Sequence, residues 1–305
     1  MDEKKTILVT GCNGFIGSYF IKKYRNEYNI VGIDITNSDN EKGCVEEYIG
    51  DVCDISLIEK IFNEHKIDIV IHTAAEKSLI ICETDKDKVY EVNYIATMNI
   101  AKISQRYNAK FIFISSDQVF DGKSSMSSED SEVNPINYYG RLKVMVEKEL
   151  INIYGSAICR TALVFGDIPE EQQEYFDSVK SSETLVVQGY VVQQTKYCLD
   201  KGLNIILPDD EFVSPTHVSL LADQLNSVIA YDASGILHCC GNDRISRYEM
   251  GMIIAEHFGC QTDTIQAKGP ENPLRPKDVS LDCSKTEKKL HMKFPDFKSM
   301  LNKYM

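Results

Sequence analysis

The chain has 305 residues, of which 43% are hydrophobic and 26% are charged, and these values are those of an ordinary globular protein. Its formal net charge of −13 argues against nucleic acid or an anionic membrane as a partner, because both bind a broad positive face. No apolar run is long enough for a signal peptide or a membrane span, so we expect a soluble protein of the cytoplasm.

Short apolar runs alternate with longer amphipathic segments over the first half of the chain. The predicted strands cover residues 6–10, 30–35, 67–73, 110–115 and 156–163, and the predicted helices cover 15–28, 55–65, 88–107 and 135–152. Apolar strands that alternate with helices are typical of a parallel sheet covered on both faces. We therefore predict an α/β protein with a Rossmann-type, doubly wound parallel sheet.

The alternation breaks down after Gly166. An acidic, glutamine-rich stretch (167–182), a short strand (204–207) and a helix (218–230) follow. We expect residues 1–166 to form one domain and residues 167–305 to form a smaller α/β lobe. Part of segment 213–240 is expected to pack back on the first domain.

The ten cysteines are scattered through the sequence, with no CxxC spacing and no accompanying histidine cluster. This pattern predicts free, buried thiols and no metal site. Cys239 and Cys240 are adjacent, which fits either a vicinal redox pair or, as we prefer, two small apolar residues that close a strand.

Three glycines follow the first predicted strand and precede the first predicted helix. Gly11 permits a tight turn, Gly14 lets the backbone approach a pyrophosphate, and Gly17 lets the helix pack closely. Unpaired N–H groups at the start of a helix attract phosphate. The alternative is a plain glycine turn, but the spacing and the context favour a dinucleotide-binding turn.

Asp34 ends the second predicted strand, about 20 residues beyond the glycine turn, where an acidic side chain accepts hydrogen bonds from the adenosine ribose. A carboxylate there repels a 2′-phosphate, so the sequence favours NAD(H) and leaves NADP(H) open. The alternative is a turn residue that closes the strand.

Two further signals are weak when taken singly. Tyr139 and Lys143 are four residues apart on a predicted helix and therefore share one face, as a surface pair also would. A nearby ammonium is expected to lower the phenol's pKa from about 10, which suits acid–base chemistry. Ser116 follows the fourth predicted strand, where its hydroxyl can polarise a carbonyl or simply cap a turn.

Together these motifs resemble the extended short-chain dehydrogenase/reductases, and among them the dTDP-4-dehydrorhamnose reductase family. Ser115-Ser116-Asp117-Gln118-Val119-Phe120-Asp121-Gly122 resembles STDYVFDG, and residues 135–143 resemble PxxxYGxxK. Arg160-Thr161 with residues 164–166 resembles RTxWVYG, and Ser214-Pro215-Thr216 and Arg275-Pro276 also fall where similar motifs occur. The resemblance covers nearly the whole chain.

The resemblance implies an NAD(P)-dependent oxidoreductase that acts on a nucleotide sugar in polysaccharide biosynthesis, with residues 167–305 as its substrate-binding lobe. The implied catalytic residues are Ser116, Tyr139 and Lys143, and the implied substrate-binding residues are Asp117, Gln118 and Arg275. The implied cofactor-binding residues are Gly11, Asn13, Gly14, Phe15, Ile16, Gly17, Asp34, Asp51, Val52, Thr73, Ala74, Ala75, Tyr139 and Lys143. Asn93 is either a support for Lys143 through water or a helix-surface residue. Some relatives dimerise, so a homodimer is left open.

One segment departs from the family. DQxGSPT is replaced by Asp210-Glu211-Phe212-Val213-Ser214-Pro215-Thr216, so the glutamine and the glycine are both changed. The leading hypothesis is reduction of a 4-keto group on a nucleotide-activated deoxysugar. Two alternatives are an epimerase or dehydratase of the same superfamily and a non-catalytic dinucleotide-binding protein such as the regulatory subunit of methionine adenosyltransferase. A dehydratase is less favoured, because Gln118 is an amide and cannot act as a general base.

An anionic substrate would need a local basic pocket in this acidic chain. Five basic residues of the last quarter could supply it, or could be solvated surface charges: Arg244, Arg247, Lys268, Arg275 and Lys277.

Overall fold

A computed structural model of the chain describes residues 4–37, 43–168, 173–183, 188–267 and 272–305. Contacts divide the chain into two compact units. The first unit comprises Met1–Val119, Val133–Arg160 and Ala222–Leu237, and the second comprises Phe120–Glu132, Thr161–Leu221 and His238–Met305. The expected domain boundary after Gly166 stays a prediction, because contact-defined units do not show which parts fold independently.

The strands are, in chain order, β1 (Thr6–Thr10), β2 (Asn29–Asp34), β3 (Glu46–Ile49), β4 (Ile69–His72), β5 (Lys110–Ser116), β6 (Ala157–Thr161), β7 (Val164–Phe165), β8 (Ile205–Ile206), β9 (Phe212–Val213), β10 (Thr216–His217), β11 (Gly235–His238), β12 (Ile245–Ser246) and β13 (Ile265–Gln266).

The helices are α1 (Phe15–Tyr24), α2 (Ile55–Glu64), α3 (Leu79–Thr84), α4 (Lys86–Tyr90), α5 (Thr97–Arg106), α6 (Tyr138–Leu150), α7 (Gln173–Val179), α8 (Val191–Asp200), α9 (Val218–Ala230), α10 (Arg247–Phe258), α11 (Ser284–Lys289) and α12 (Phe297–Tyr304). A π-helical turn, Glu91–Ala96, joins α4 to α5. None of the helices in the described ranges has the length and apolar character that crossing a membrane requires.

A seven-stranded sheet in the order β11-β6-β5-β4-β1-β2-β3 forms the centre of the first unit. β1 pairs in parallel with both β2 and β4, and the pairs β2-β3 and β4-β5 are also parallel. The chain therefore builds outward from β1 to β3 and then returns to continue on the other side. This reversal places a topological switch point between β1 and β4, where doubly wound sheets bind their ligands.

Burial explains why the sheet strands are apolar. Every residue of β4 is buried, and so are all but the first residue of β1 and of β5. Residues from these strands and from the helices that cover them form one hydrophobic core. The predicted α/β fold with a Rossmann-type parallel sheet is confirmed.

The second unit has small sheets in place of one large one. β7 pairs with β10, β8 pairs with β13, and β9 pairs with β12. Its main core includes Phe165 of β7, Met250 and Ile254 of α10, and Phe297 and Met300 of α12. This unit is therefore less regular than the first.

Three local predictions differ from the structure. β3 and β11 were not expected, because β3 has the polar sequence EEYI and β11 is only four residues long. The predicted helix 88–107 consists of α4, the π-helical turn and α5. The first helix ends at Tyr24 rather than at residue 28.

Candidate functional site

The segment Gly11–Gly17, called the glycine turn below, packs tightly against its own backbone. A Cβ atom at Gly17 would lie 2.3 Å from the carbonyl oxygen of Gly11, and one at Gly14 would lie 3.1 Å from it. Gly11 has a φ of +70°, and a Cβ there would lie 2.9 Å from the backbone nitrogen of Ala74. Glycine is therefore required by close approach at position 17 and by both conformation and close approach at position 11.

The glycine turn leads directly into α1, whose first residues are Phe15 and Ile16. Gly14 is the N-cap residue and supplies no side-chain hydrogen bond to the helix. The first N–H groups of α1 are thus not capped by that residue and are suited to an anion. This cradle fits the pyrophosphate of a dinucleotide.

Asp34 lies beside the glycine turn, as predicted. Its Oδ2 accepts a hydrogen bond from the Asn13 backbone nitrogen at 3.0 Å, and its Oδ1 accepts one from the backbone nitrogen of Thr36 at 3.1 Å. The Asn13 side chain donates to the carboxylate of Glu47 at 2.7 Å. Glu47 belongs to β3 and was missed by sequence reasoning, because that strand was not predicted.

Asp51 and Val52 follow β3 after Gly50. The Asp51 carboxylate is exposed and accepts a hydrogen bond from the backbone nitrogen of Cys53 at 2.9 Å, whereas Val52 is buried. The two residues thus offer one polar and one apolar group at the end of an edge strand, which suits contact with an adenine ring.

Thr73, Ala74 and Ala75 follow β4 and lie against the end of β1. The Thr73 hydroxyl donates to the carbonyl oxygen of Thr10 at 2.7 Å, and the Ala74 nitrogen donates to the Thr10 hydroxyl at 3.4 Å. The structure therefore brings this segment and the glycine turn together at the switch point of the sheet.

A buried histidine fixes the same region and was not singled out from the sequence. The Nδ1 of His72 lies 2.8 Å from the Thr10 hydroxyl, and its Nε2 lies 2.9 Å from the Thr97 hydroxyl. Because Thr97 donates to the carbonyl oxygen of Asn93, it accepts from Nε2–H, and Nδ1 accepts from Thr10. Burial lowers the pKa of His72 to about 3, so the imidazole is neutral.

Asn93 lies in the π-helical turn and is 2% exposed. Its side chain accepts a hydrogen bond from the backbone nitrogen of Glu76 and donates one to the Glu76 carbonyl oxygen, each at 2.8 Å. The interpretation of Asn93 as a helix-surface residue is therefore wrong. A role in supporting Lys143 through water stays a prediction.

Ser116 is the last residue of β5. Its hydroxyl donates to the Asp117 carboxylate at 2.9 Å and accepts from the backbone nitrogen of Gln118 at 3.2 Å. Asp117 is buried, and the side chain of Gln118 lies between it and Asn137, donating to the first at 3.3 Å and accepting from the second at 3.0 Å. This network holds the candidate substrate residues at the end of the strand.

The start of α6 is fixed against the same segment. Asn137 is its N-cap residue and accepts a hydrogen bond from the Gly140 nitrogen at 2.8 Å. A Cβ at Gly140 would lie 2.1 Å from the carbonyl oxygen of Gln118, so a larger residue would push the helix away. Gly140 thereby sets the position of Tyr139, a role that the YxxxK pattern alone did not reveal.

Lys143 lies one turn after Tyr139 and is 4% exposed. Its Nζ donates to the Ile114 carbonyl oxygen at 2.8 Å and lies 5.5 Å from the ring centre of Tyr139. Burial lowers the pKa of Lys143 to about 8, an effect that the nearby Glu147 carboxylate opposes. The ammonium therefore remains largely charged near neutral pH.

The pKa of Tyr139 is raised above that of a free phenol, so the expected lowering is wrong. Burial is the largest cause, and the Asp117 charge adds to it, while a hydrogen bond with Ser116 acts in the opposite direction. The phenol therefore keeps its proton at neutral pH. This form of the side chain is a proton donor.

Two of the basic residues that could form an anion pocket are paired with carboxylates of the second unit. The Nε of Arg244 lies 2.7 Å from Asp278, and the Nζ of Lys277 lies 2.6 Å from Asp210. Lys268 lies outside the described residues.

Glu211 is buried and has two arginine neighbours. The Nε of Arg247 lies 3.4 Å from its carboxylate and an Nη of Arg275 lies 3.9 Å from it. These three residues are called the arginine cluster below. The cluster carries a net charge of +1, from two arginines and one glutamate. Its glutamate replaces the glutamine of the DQxGSPT motif.

No group of three or more histidine, cysteine, aspartate or glutamate side chains in the described part of the chain is arranged to hold a metal ion.

The sequence matches a protein-family model described as "RmlD substrate binding domain" over residues 5–305. It is 28% identical over 296 residues to methionine adenosyltransferase 2 subunit beta of Xenopus laevis, covering 92% of this chain and 81% of that protein. It is 25% identical to the "Probable low-salt glycan biosynthesis reductase Agl14" of Haloferax volcanii, covering 92% of this chain and 91% of that protein.

Two solved structures share the fold. One is a hypothetical dTDP-4-dehydrorhamnose reductase from Sulfolobus tokodaii, 25% identical, with a TM-score of 0.81 and coverage of 99% of both chains. The other is a dTDP-4-dehydrorhamnose reductase from Bacillus anthracis in complex with NADP, 22% identical, with a TM-score of 0.82 and the same coverage.

Proposed function

The chain belongs to the RmlD substrate-binding domain family, and we propose that it is a reductase that uses a nicotinamide dinucleotide to reduce the 4-keto group of a nucleotide-activated deoxysugar. The observation that carries this proposal is the meeting of Ser116, Tyr139 and Lys143 in one unit, with Ser116 at the end of β5, Tyr139 in the first turn of α6 and the Lys143 ammonium beside the Tyr139 ring. A hydroxyl, a protonated phenol and an ammonium are what reduction of a carbonyl group requires.

The glycine turn would hold the pyrophosphate of the cofactor, and Thr73–Ala75 would line its nicotinamide side. When bound, the cofactor supplies the hydride. We propose NADH as the preferred form. Two carboxylates, those of Asp34 and Glu47, accept hydrogen bonds from Asn13 and would repel a 2′-phosphate bound nearby.

Tyr139 would donate its proton to the carbonyl oxygen as the carbonyl carbon is reduced. Its raised pKa keeps that proton in place until the oxygen becomes basic. The nearby Lys143 ammonium would then stabilise the phenolate, and the Ser116 hydroxyl would orient the carbonyl. Water would return a proton to Tyr139 for the next cycle.

Asp117 and Gln118 would contact the sugar, because both follow Ser116 directly. The structure gives no support to a dehydratase, since the Gln118 amide that replaces the second acid is engaged with Asp117 and Asn137. We also propose that Arg275 binds the substrate, because the arginine cluster carries a net positive charge that would attract an anionic group. An epimerase remains the nearest enzymatic alternative.

A second candidate function is regulation without turnover. It is favoured by the similarity to methionine adenosyltransferase 2 subunit beta, which extends over 92% of this chain. Such a protein would keep the glycine turn for binding and would not need Tyr139 as a proton donor.

One experiment separates these functions. Purified full-length protein is mixed with NADH or NADPH and a dTDP-4-keto-6-deoxy sugar, and the loss of reduced cofactor is followed by absorbance at the nicotinamide band. We expect turnover, faster with NADH. Tight NADH binding without turnover, together with co-elution with a methionine adenosyltransferase catalytic subunit on a sizing column, would replace the reductase by the regulatory function.

A further inference from the structure

The second unit contains two buried thiols in direct contact. The Sγ atoms of Cys240 and Cys283 lie 3.0 Å apart, and neither residue is exposed to solvent. Cys240 lies two residues after β11, and Cys283 is the N-cap residue of α11. A disulfide bond has an S–S length of about 2.05 Å, so a small movement of these side chains would suffice to form one.

We propose that Cys240 and Cys283 are an oxidation site at which the chain forms a reversible intramolecular disulfide in the presence of a peroxide or a low-molecular-weight disulfide. The pair is distant in sequence, 43 positions apart, and joins two segments that the fold already holds next to each other. This inference is independent of the proposed catalytic function.

Ser214 holds the two segments together. Its hydroxyl donates to the carbonyl oxygen of Asp243 at 2.5 Å and accepts a hydrogen bond from the backbone nitrogen of Leu281 at 3.0 Å. Cys240 is three positions before Asp243 and Cys283 is two positions after Leu281. Because both segments are anchored on one side chain, each thiol is presented to the other at a high effective concentration.

A salt bridge beyond these anchors supports the same arrangement. The Nε of Arg244 lies 2.7 Å from the Asp278 carboxylate, and the guanidinium also lies 3.6 Å from the ring centre of Phe212. The segments after Cys240 and before Cys283 are therefore tied to each other as well as to Ser214. The backbone on either side would not need to move far for the sulfur atoms to bond.

The vicinal pair Cys239-Cys240, which the sequence left open, is the weaker alternative. Adjacent Cα atoms are about 3.8 Å apart across a trans peptide, which is below the usual Cα separation of about 4.4–6.8 Å in a disulfide. The geometry thus selects Cys283, rather than Cys239, as the partner of Cys240.

The chemistry balances with either oxidant. A peroxide converts one thiolate to a sulfenic acid and is itself reduced, and the second thiol then attacks the sulfenic sulfur, so that the S–S bond forms and water leaves. A small disulfide reaches the same product through two exchange steps, which release two small thiols. Since both cysteines are buried, the oxidant gains access during local opening, and the reaction is expected to be slow.

The test uses the reduced full-length chain, treated with hydrogen peroxide or oxidised glutathione, then denatured, alkylated and analysed by mass spectrometry of intact protein and of peptides. We expect a cross-linked peptide pair that contains Cys240 and Cys283, about 2 Da lighter than the sum of the two reduced peptides and reversed by dithiothreitol. The partly exposed Cys260 serves as a check that the oxidant reacts.

The matched variants are Cys283→Ala and Cys240→Ala, which should lose the cross-link, and Cys239→Ala, which should keep it. Oxidation should also raise the unfolding temperature of the wild type and of Cys239→Ala by several degrees, because the bond closes a loop of more than 40 residues, while Cys283→Ala should show no rise. The proposal is overturned if Cys240 and Cys283 both remain fully alkylatable once Cys260 has reacted. It is also overturned if the cross-link joins another pair, such as Cys12 and Cys44, whose sulfur atoms both lie beside Gly32.

Discussion

The glycine turn of the first unit and the arginine cluster of the second are both candidate sites for a negatively charged group, and they are built in opposite ways. The glycine turn presents backbone, and its shape is set by approaches too close for any side chain, such as that at Gly17. The arginine cluster presents side-chain charge, and one of its two positive charges is already balanced by Glu211. An anion would find the first site prepared and would have to compete with a carboxylate at the second.

This contrast explains why the cofactor can be proposed with more detail than the substrate. Backbone geometry depends on a few glycines whose spacing is visible in the sequence. Charge balance depends on which acidic and basic residues meet in space, and one exchange, such as glutamine to Glu211, lowers the net charge of the cluster from +2 to +1 without changing the fold.

The largest effect is expected at Tyr139, where binding and chemistry should separate. Tyr139→Phe removes the proton donor and leaves the glycine turn intact, so turnover should fall by about 100- to 10,000-fold while the Kd for NADH changes little. Steady-state rates and a fluorescence titration with NADH measure the two quantities. Tyr138→Phe is the matched control and should retain most activity. A Tyr139→Phe enzyme with the wild-type rate would remove Tyr139 from the mechanism.

The next effect is expected at the arginine cluster. Glu211→Gln keeps the shape of the side chain but leaves two guanidinium groups without their carboxylate, so the free energy of unfolding should fall by about 3 kcal/mol. Affinity for dTDP should rise, by about tenfold, because the anion then meets unbalanced charge. Chemical denaturation and calorimetric titration check the two parts.

Asp210→Asn provides the control for Glu211→Gln, since the Asp210–Lys277 pair is exposed and should matter little to stability. If Glu211→Gln binds dTDP no better than the wild type does, the arginine cluster is a structural ion pair and Arg275 is not a substrate residue.

A graded effect is expected within the glycine turn. Gly17→Ala places a Cβ 2.3 Å from the Gly11 carbonyl oxygen and should weaken NADH binding strongly, together with a loss of about 1–3 kcal/mol of stability. Gly14→Ala, where the distance is 3.1 Å, should show a smaller effect on both. The two Kd values and the two unfolding curves give the comparison, and a reversed order would mean that backbone approach does not shape this site.

A smaller change, in cofactor preference, is expected at Asp34. Asp34→Ala should weaken the binding of NADH by about 1–2 kcal/mol, because hydrogen bonds to a charged group are lost. The binding of NADPH should be weakened less. The ratio of the two Kd values is the measurement. Glu47→Gln tests the second carboxylate in the same way, and an unchanged ratio in both variants would show that neither residue reads the ribose.

The smallest effect concerns pH. Burial raises the pKa of Asp243 to about 6 from its ordinary value of 3.8. The folded protein therefore binds a proton that the unfolded chain has released between these values, and stability should decrease as pH rises from about 4 to 6. Because Asp243 is only partly buried, the change should be about 1 kcal/mol.

Asp243→Asn keeps an acceptor for the Phe297 nitrogen and should lose this pH dependence. Denaturation curves at several pH values, recorded for the wild type and for this variant, make the comparison. Parallel pH profiles would show that Asp243 has an ordinary pKa.

Much of the first unit could be predicted from the sequence, because periodic apolar strands and the glycine spacing are local signals. β3 was missed because its sequence is polar and its pairing depends on β2 alone. Glu47 was missed for the same reason. The raised pKa of Tyr139 could not be foreseen, because it depends on burial and on Asp117, which is distant from Tyr139 in the sequence.

The π-helical turn Glu91–Ala96 makes the spacing of this segment intolerant of insertions and deletions. The Asn93 side chain is hydrogen-bonded to the backbone of Glu76, and the Thr97 side chain is hydrogen-bonded to His72. Both bonds depend on the directions in which these two side chains leave the same helical segment. Removing a single residue from the turn would rotate one group relative to the other by about 100°, so the two bonds could not form together. A homologue that differs by one residue in length here must therefore hold the end of β4 by other means.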